Sequence, residues 1–289
     1  MRIGIVTPVL IQHPGTRADW EVGAGIDEVA RIGETADRLG YHHLTCSEHV
    51  AVPTAVAAER GGTYWDPLAT LGYLAARTTR IRLVTQVVVL GYHHPLEIAK
   101  RYGTLDRVSG GRLTLGLGIG SLREEFDLLG AQFSGRGERA DDALRALRAS
   151  LSRPEPEYHG EFYDFADVVV RPHAVQDTVP LWIGGRTARS LRRAVELGDG
   201  WVPFGLRLDD LAAMLEATPP RPDMEIVLAA PRPLDPAGAP DVAIRALARL
   251  RDAGATAAGV TIAATGVDHY CDQLAELKEL AGPLGIDFD

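Results

Sequence analysis

A histidine beside a glutamate, His49 next to Glu48, directly follows a segment whose pattern predicts a strand at residues 42–47. Histidine changes charge near neutral pH, and a neighbouring carboxylate can hold its ring in one tautomer. In that arrangement His49 could donate a proton to a substrate. The sequence also allows a plainer interpretation, a surface histidine in a loop. The choice depends on whether the fold gathers its strand ends into one site.

A second candidate is a pair of glycines, Gly184 and Gly185, between a predicted strand, Leu181–Gly184, and a helix predicted at residues 187–197. The first N–H groups of a helix have no acceptor within it, and the helix dipole adds positive potential there. Such a junction suits a phosphate group. The same glycines also fit a tight turn that needs a positive φ, and the two interpretations are compatible.

Alternating glycines, Gly116, Gly118 and Gly120, close the strand predicted at residues 112–117. Backbone without side chains lets a flat or phosphorylated ligand approach closely. Taken alone the pattern is a weak signal, because a tight strand exit uses the same residues.

Metal and hydrolase chemistry have less support. The pairs His42–His43 and His93–His94 are adjacent in sequence, so on a strand their side chains are expected on opposite faces and cannot chelate a metal together. The sequence lacks both the HExxH zinc motif and the GxSxG nucleophile motif. Asp141 and Asp142 are interpreted as surface charge on a helix. A metal-dependent barrel hydrolase therefore remains only a minor alternative.

The candidate residues need a scaffold that brings strand ends together. Strand-like apolar runs alternate with helical patterns along the whole chain and give eight strand–helix pairs. This order predicts an α/β fold, a (β/α)8 TIM barrel, formed as a single domain over residues 1–289. A doubly wound sheet is the main rival, but it usually has fewer units. Alternating aromatic residues predict a small hairpin insertion at 154–172.

In a barrel of this kind the site is built by the loops that follow the strands. The third strand is predicted as one continuous run at 81–90. The loops selected by this rule are residues 47–52, 89–94, 118–125, 184–188, 203–207 and 263–266.

The composition and charge of the chain favour some classes of function and argue against others. The chain has 289 residues, of which 46% are hydrophobic and 24% charged, as in ordinary globular enzymes. A net charge of -9 argues against a nucleic-acid surface. Two cysteines, no signal-peptide pattern and no apolar run of membrane-spanning length lead us to expect a cytoplasmic protein without a membrane partner.

Several segments together resemble the luciferase-like monooxygenase superfamily and, within it, the F420-dependent oxidoreductases. They occur in the family's order over most of the first 205 residues, while the last 85 or so match only in barrel layout. The segments are SEHV at 47–50, LVTQVVVL at 83–90, PLEIAKRYGTLDRVSGGRLTLGLGIG at 95–120, EEFDLLG at 124–130, RGERADDAL at 136–144 and PLWIGGRTARSLRRAVELGDGWVP at 180–203.

The resemblance implies a deazaflavin or flavin lying across the barrel mouth. Its phosphate tail would point toward Gly184, Gly185, Thr187 and Ala188. A non-prolyl cis peptide at Gln86–Val87 would face the ring, with Val89 at the ring edge and Ile119 and Gly120 beside it. Glu48 takes the place of an aspartate that contacts the deazaflavin, and His49 takes the place of the active-site acid.

The sequence differs from the sugar-phosphate dehydrogenases of this group at residues that those enzymes use for their substrate. Ser121 and Glu124 stand where the sugar-phosphate dehydrogenases of this group carry a catalytic glutamate and an asparagine. The lysines that hold the substrate phosphate in those enzymes have no evident counterpart here, since the chain has only Lys100 and Lys278. Oxidation of a sugar phosphate is therefore not expected.

The leading hypothesis is an oxidoreductase that transfers hydride between coenzyme F420 and a small organic substrate, with His49 as the proton donor. The alternatives are an FMN-dependent monooxygenase supplied by a separate reductase, and a non-catalytic protein that binds a flavin or deazaflavin. By resemblance alone we also expect a homodimer.

Overall fold

A computed structural model of the chain describes residues 1–288 and shows parallel strands closed into a barrel inside a layer of helices. The strands are β1 (Arg2–Ile5), β2 (His43–Cys46), β3 (Arg82–Thr85), β4 (Val88–Val89), β5 (Leu113–Gly118), β6 (Tyr158–His159), β7 (Asp164–Phe165), β8 (Leu181–Gly184), β9 (Gly200–Val202), β10 (Glu225–Ala229) and β11 (Ala257–Val260). The α-helices are α1 (Ile26–Leu39), α2 (Thr54–Arg60), α3 (Pro67–Arg77), α4 (Pro95–Ser109), α5 (Arg123–Leu128), α6 (Arg136–Ser150), α7 (Ala188–Leu197), α8 (Leu208–Ala217), α9 (Pro240–Asp252) and α10 (Val267–Ala281).

The barrel strands pair in the order β3-β2-β1-β11-β10-β9-β8-β5, and β3 also pairs with β5, which closes the ring. All these pairings are parallel, so the carboxyl ends of the strands meet at one face. The predicted (β/α)8 barrel is confirmed. Strands β6 and β7 form a separate antiparallel hairpin within residues 154–172, where the sequence predicts one.

The third barrel strand differs from its prediction as a continuous run. It divides into β3 and β4, and both parts pair with β5, through Leu83 with Leu113 and Val88 with Leu117. The peptide bond Gln86–Val87 between them is cis, as the resemblance implies. The polar residues Thr85 and Gln86 precede the bond, but polar residues also occur within continuous strands, so residue pattern alone could not place it.

Local signals set the helix bounds that position the site. Asp66 caps α3 by accepting a 2.7 Å hydrogen bond from the Ala69 N–H. Gly110 ends α4 in the left-handed region, at a φ of 70°. Helix α2 has no buried residue, so it has no apolar stripe from which to predict it. Helix α5 is only six residues long and was likewise not predicted.

The two adjacent histidines at the start of β2 contact each other, contrary to the expectation of opposite faces. Strand β2 begins only at His43, so His42 is not bound by strand alternation. Their Nδ1 atoms are 2.9 Å apart, and Nε2 of His42 is 3.1 Å from the Arg2 guanidinium. The His43 ring is fully buried over Gly4, where an added Cβ would lie 2.2 Å from it.

These buried rings predict a loss of stability at mildly acidic pH. Burial, and then the positive charge of Arg2, lowers the pKa of His43 to about 3. Below pH ~6.5 His43 binds a proton in the unfolded chain but stays neutral in the folded chain. Its contribution to the free energy of unfolding is therefore present above that pH and is lost as the pH falls. We expect His43 to account for a loss of about 2 kcal/mol in the free energy of unfolding between pH 7 and pH 5.

Urea unfolding of the wild type and of His43→Gln at both pH values tests this prediction. Glutamine does not titrate, so the variant should lose less free energy of unfolding than the wild type between pH 7 and pH 5. Equal losses in the two proteins would contradict it.

The interpretation of Asp142 as surface charge was wrong. Its side chain is buried, and it accepts hydrogen bonds from the Tyr158 hydroxyl and from the N–H groups of Phe162 and Tyr163, at 2.8 and 3.0 Å for the last two. Asp142 therefore fixes the hairpin onto α6. Its neighbour Asp141 is partly exposed and pairs with Arg193.

Candidate active site

A cavity of about 470 Å³ opens at the carboxyl ends of β2, β4, β5, β8 and β9. Its volume falls within the range of pockets that hold small molecules and cofactors. Ten of the eleven residues predicted for the site line it, namely Glu48, His49, Gln86, Val87, Val89, Ile119, Gly120, Gly184, Gly185 and Thr187. The imidazole and the paired glycines thus share one cavity, although what each residue binds stays a prediction.

His49 is held by a carboxylate that sequence reasoning did not assign to it. Its Nδ1 lies 2.7 Å from Oε2 of Glu125, the third residue of α5. Glu125 is an acceptor when ionised, so Nδ1 carries the proton and Nε2 is left to exchange one with a ligand. The adjacent Glu48 does not make this contact.

The side chain of Glu125 is fully buried, and its carboxylate accepts hydrogen bonds from four donors. Besides His49, it accepts from the N–H groups of Val50 and Ala51, at 2.6 and 3.1 Å, and from the Tyr92 hydroxyl at 2.9 Å. Burial alone would raise the pKa of Glu125, but the hydrogen bonds from His49, Ala51 and Tyr92 lower it below its ordinary value. The carboxylate is therefore charged and faces the imidazole as a fixed partner.

Two tyrosines complete the surroundings of the imidazole. The rings of Tyr64 and His49 have centroids 4.4 Å apart, and Tyr92 reaches the imidazole through Glu125. Burial and the hydrogen bond to Glu125 raise the pKa of Tyr92, so its hydroxyl keeps its proton. Tyr92 lies in a loop that the barrel rule selected, whereas no sequence signal pointed to Tyr64.

Glu48 lines the cavity, but its carboxylate is engaged within the protein. One oxygen accepts from the Val89 N–H at 2.7 Å and the other contacts Nε2 of His93 at 2.7 Å. Burial would lower the pKa of His93, but the hydrogen bond and the charge of Glu48 raise it. Glu48 therefore ties β4 to the loop after β2, and its predicted contact with a cofactor stays a prediction.

Two glycines, Gly118 and Gly184, leave one wall of the cavity without side chains, and we call this wall the cavity floor. A Cβ added to Gly118 would lie 2.6 Å from a methyl group of Val87, and one added to Gly184 would lie 3.0 Å from the other. Within residues 1–288, Oε1 of Gln86 is buried without a hydrogen-bond partner. A flat floor beside an unused acceptor fits a planar ring that carries N–H groups, as flavins and deazaflavins do.

The glycine turn leads into the N-terminus of α7. Gly185 has a φ of 145°, which side chains rarely allow, and Thr187 caps the helix by accepting from the Ser190 N–H at 3.2 Å. Ala188, the eleventh predicted residue, does not line the cavity but is the first residue of α7. Its N–H belongs to the first turn, where helices bind phosphate.

The turn at Gly184 and Gly185, together with the first turn of α7, is called the glycine anchor here because it would hold a cofactor phosphate. The variant Gly185→Ala tests this role. The new Cβ would lie 2.5 Å from Cβ of Ser190, so the turn must move. We expect cofactor affinity to fall at least about tenfold, together with a stability loss of roughly 1–3 kcal/mol. Gly130→Ala is the matched control, because Gly130 has a φ of 67° and nothing within 4 Å of an added Cβ. Equal affinities in the two variants would contradict an anchoring role.

Cations border the anchor. Arg136, Arg186, Arg189 and Arg193 all line the cavity, and the Arg136 guanidinium donates to the Gly120 carbonyl at 3.1 Å. Guanidinium groups match phosphate and carboxylate groups well. Floor, anchor and cations together fit a flavin-type cofactor with an anionic tail. Within residues 1–288, no three of the His, Cys, Asp and Glu side chains group in a way that could hold a metal ion.

The first 221 residues of the sequence match a family model. The model described as luciferase-like monooxygenase covers residues 1–221. The chain belongs to the luciferase-like monooxygenase family. Members of this family are oxidoreductases and monooxygenases, so an oxidoreductase with a flavin or deazaflavin cofactor is supported. Among residues 1–288, no helix is long and apolar enough to cross a membrane.

Proteins similar to this luciferase-like chain in sequence or in fold are described with different cofactors. The chain is 29% identical over 175 residues to the oxygenase component of flavin-dependent trigonelline monooxygenase from Acinetobacter baylyi. The matched segment covers 60% of this chain and 46% of that protein. Two solved structures share the fold of this chain. Monooxygenase RslO1 from Streptomyces bottropensis has a TM-score of 0.78 at 23% identity, covering 99% of this chain and 100% of that one. The coenzyme F420 dependent tetrahydromethanopterin reductase from Methanopyrus kandleri has a TM-score of 0.71 at 15% sequence identity. The superposition covers 92% of this chain and 96% of that one.

Proposed function

We propose that this protein transfers hydride between coenzyme F420 and a small organic substrate, with His49 exchanging the accompanying proton. The observation that carries the proposal is that His49, whose Nδ1 lies 2.7 Å from the buried Glu125 carboxylate, lines the same cavity as the glycine anchor. A charged, buried carboxylate stabilises the protonated imidazole and fixes its direction, as a general acid requires.

The cofactor supplies the hydride donor or acceptor. The protein's part is to bind, to orient and to move the proton. The floor at Gly118 and Gly184, with Val87 against both glycines, would hold the bound ring. Nε2 of His49 then delivers a proton to the substrate atom beside the one that receives hydride, or removes it in the opposite direction. The surrounding tyrosines Tyr64 and Tyr92 help to keep bulk water away.

The charge of the cavity mouth favours F420 over FMN. The chain has a net charge of -9, yet four arginines line this cavity, and two of them, Arg136 and Arg186, form no ion pair within residues 1–288 whereas Arg189 and Arg193 do. Cations concentrated in one cleft of an acidic protein indicate an anionic ligand. F420 carries a phosphodiester followed by glutamyl carboxylates, whereas the charge of FMN ends at its phosphate.

An FMN-dependent monooxygenase is the second candidate. The observation in its favour is the match to the flavin-dependent trigonelline monooxygenase, together with a floor that would hold a flavin ring equally well.

Equilibrium titration of the purified protein with F420 and, separately, with FMN decides between the two. Fluorescence of each cofactor reports binding. We expect micromolar or tighter binding of F420 and binding of FMN at least about tenfold weaker. Tight binding of FMN with no binding of F420 would overturn the proposal and favour the monooxygenase.

A further inference from the structure

Four arginines in or beside the cavity each place a guanidinium group over an aromatic ring, and we call this set the arginine track: Arg123, Arg136, Arg139 and Arg186. Arg136 and Arg186 line the cavity itself. Arg123 and Arg136 lie over the same ring, with their guanidinium carbons 4.4 and 3.7 Å from the centre of Phe133. Arg139 is one turn further along α6, with its guanidinium carbon 4.6 Å from the centre of the Phe162 ring.

The arginines of the track lack acidic partners. Within the described part of the chain none of the four forms an ion pair, whereas the neighbouring Arg189 and Arg193 pair with Glu138 and Asp141. Nε of Arg139 is buried with no hydrogen-bond partner among residues 1–288. Arg136 and Arg139 donate to the neutral oxygens of Gly120, Phe133 and Gln132, so the charges of the track are not neutralised within the described residues.

Leaving these charges unpaired is unfavourable in this protein. Burial and the like charge of Arg123 lower the pKa of Arg136, because two guanidinium groups share one ring. A bound anion would relieve that repulsion. The track is not the result of a generally basic surface, because the chain has nine more acidic than basic side chains at pH 7.

We propose that the arginine track binds the glutamyl carboxylates of the F420 tail, an inference that rests on the proposed function. Arg186 directly follows Gly185 of the phosphate anchor, so the track begins where the phosphate would end. Arg123 and Arg139 do not line the cavity and lie over the rings of Phe133 and Phe162. FMN has no group to reach them. The exposed Arg123 and the half-buried Arg139 would thus recognise the tail alone, without touching the ring.

Three cofactor forms test the proposal by fluorescence titration: F420 with several glutamyl residues, F420 with none, and FMN. Surface pairs of this kind are weak singly, so we expect the long-tailed form to bind about tenfold more tightly than the tail-less form at low salt. The difference should shrink at high salt, because exposed charges are screened.

Variants then locate the effect. The double variant Arg123→Gln/Arg139→Gln, which keeps Arg136 and Arg186, should lose most of the preference for the long tail, and its affinity for the long-tailed form should fall close to the wild-type affinity for the tail-less form. Arg153→Gln is the matched control, because Arg153 is exposed and lies beyond the opposite end of α6, about 20 Å from Arg136. The control should keep the tenfold preference for the long tail.

Two results would count against the inference. Equal affinity of the wild type for both F420 forms at low salt would overturn the track but leave the proposed function standing. Binding of FMN with no binding of either F420 form would overturn the proposed function as well.

Discussion

Replacement of His49 by alanine is expected to lower kcat/KM by about 10²- to 10⁴-fold, the usual contribution of a positioned acid or base. The variant removes Nε2 of His49, the ring nitrogen that remains for a ligand because Nδ1 is bonded to Glu125 at 2.7 Å. Cofactor affinity should change little, because the floor and the anchor are built from other residues. Steady-state kinetics and fluorescence titration on the same preparation separate the two effects.

A matched control is His159→Ala, at an exposed histidine of the hairpin. It should retain wild-type kinetics. If His49→Ala also kept wild-type kcat/KM, the imidazole would not be the proton donor. If instead it lost cofactor binding along with activity, His49 would be a binding residue.

Replacement of Glu125 by glutamine is the second large effect. Glutamine keeps the shape, but its amide nitrogen cannot accept hydrogen bonds, and four donors converge on this carboxylate. Loss of a hydrogen bond to a charged group costs about 1.5–3 kcal/mol, which corresponds to a roughly 10- to 150-fold fall in kcat/KM. Without the carboxylate the protonated imidazole also loses its stabilising partner.

A double-mutant cycle shows whether Glu125 acts through His49. In the wild-type background Glu125→Gln should lower kcat/KM by the factor given above, whereas in the His49→Ala background it should lower kcat/KM little further, because the side chain that Glu125 positions is already absent. Tyr92→Phe, which removes one donor and keeps the charge of Glu125, should lower kcat/KM less than Glu125→Gln does. Equal falls in the two backgrounds would reduce Glu125 to a structural role.

The barrel could be predicted from the sequence because it depends on repetition. Eight apolar runs alternating with helical patterns leave few other folds, and short signals such as the cap at Asp66 fixed helix starts. The strand bounds at Leu181–Gly184 matched in full. The rule that sites form at strand ends then selected loops that supply most of the cavity wall.

The details of the site could not be predicted, because they depend on contacts across the fold. Glu48 is adjacent to His49 in sequence, yet the carboxylate that holds the imidazole is Glu125, 76 residues away. Nothing in the pattern distinguishes Glu125 from its neighbour Glu124. Asp142 was misread for the same reason, since its partners lie in a hairpin up to 21 residues later. Residue types near a strand end thus predict chemistry better than they predict partners.

Isotope transfer tests the central claim most directly. Reduced F420 carrying deuterium at the reactive ring carbon is mixed with the protein and a panel of neutral enones and ketones, beginning with cyclohex-2-enone, and products are analysed by mass spectrometry. The account predicts a product with one deuterium from the cofactor and one proton from solvent, formed far more slowly by His49→Ala. Products that contain oxygen from labelled O₂ when reduced FMN is supplied, with no deuterium transferred from F420, would contradict it.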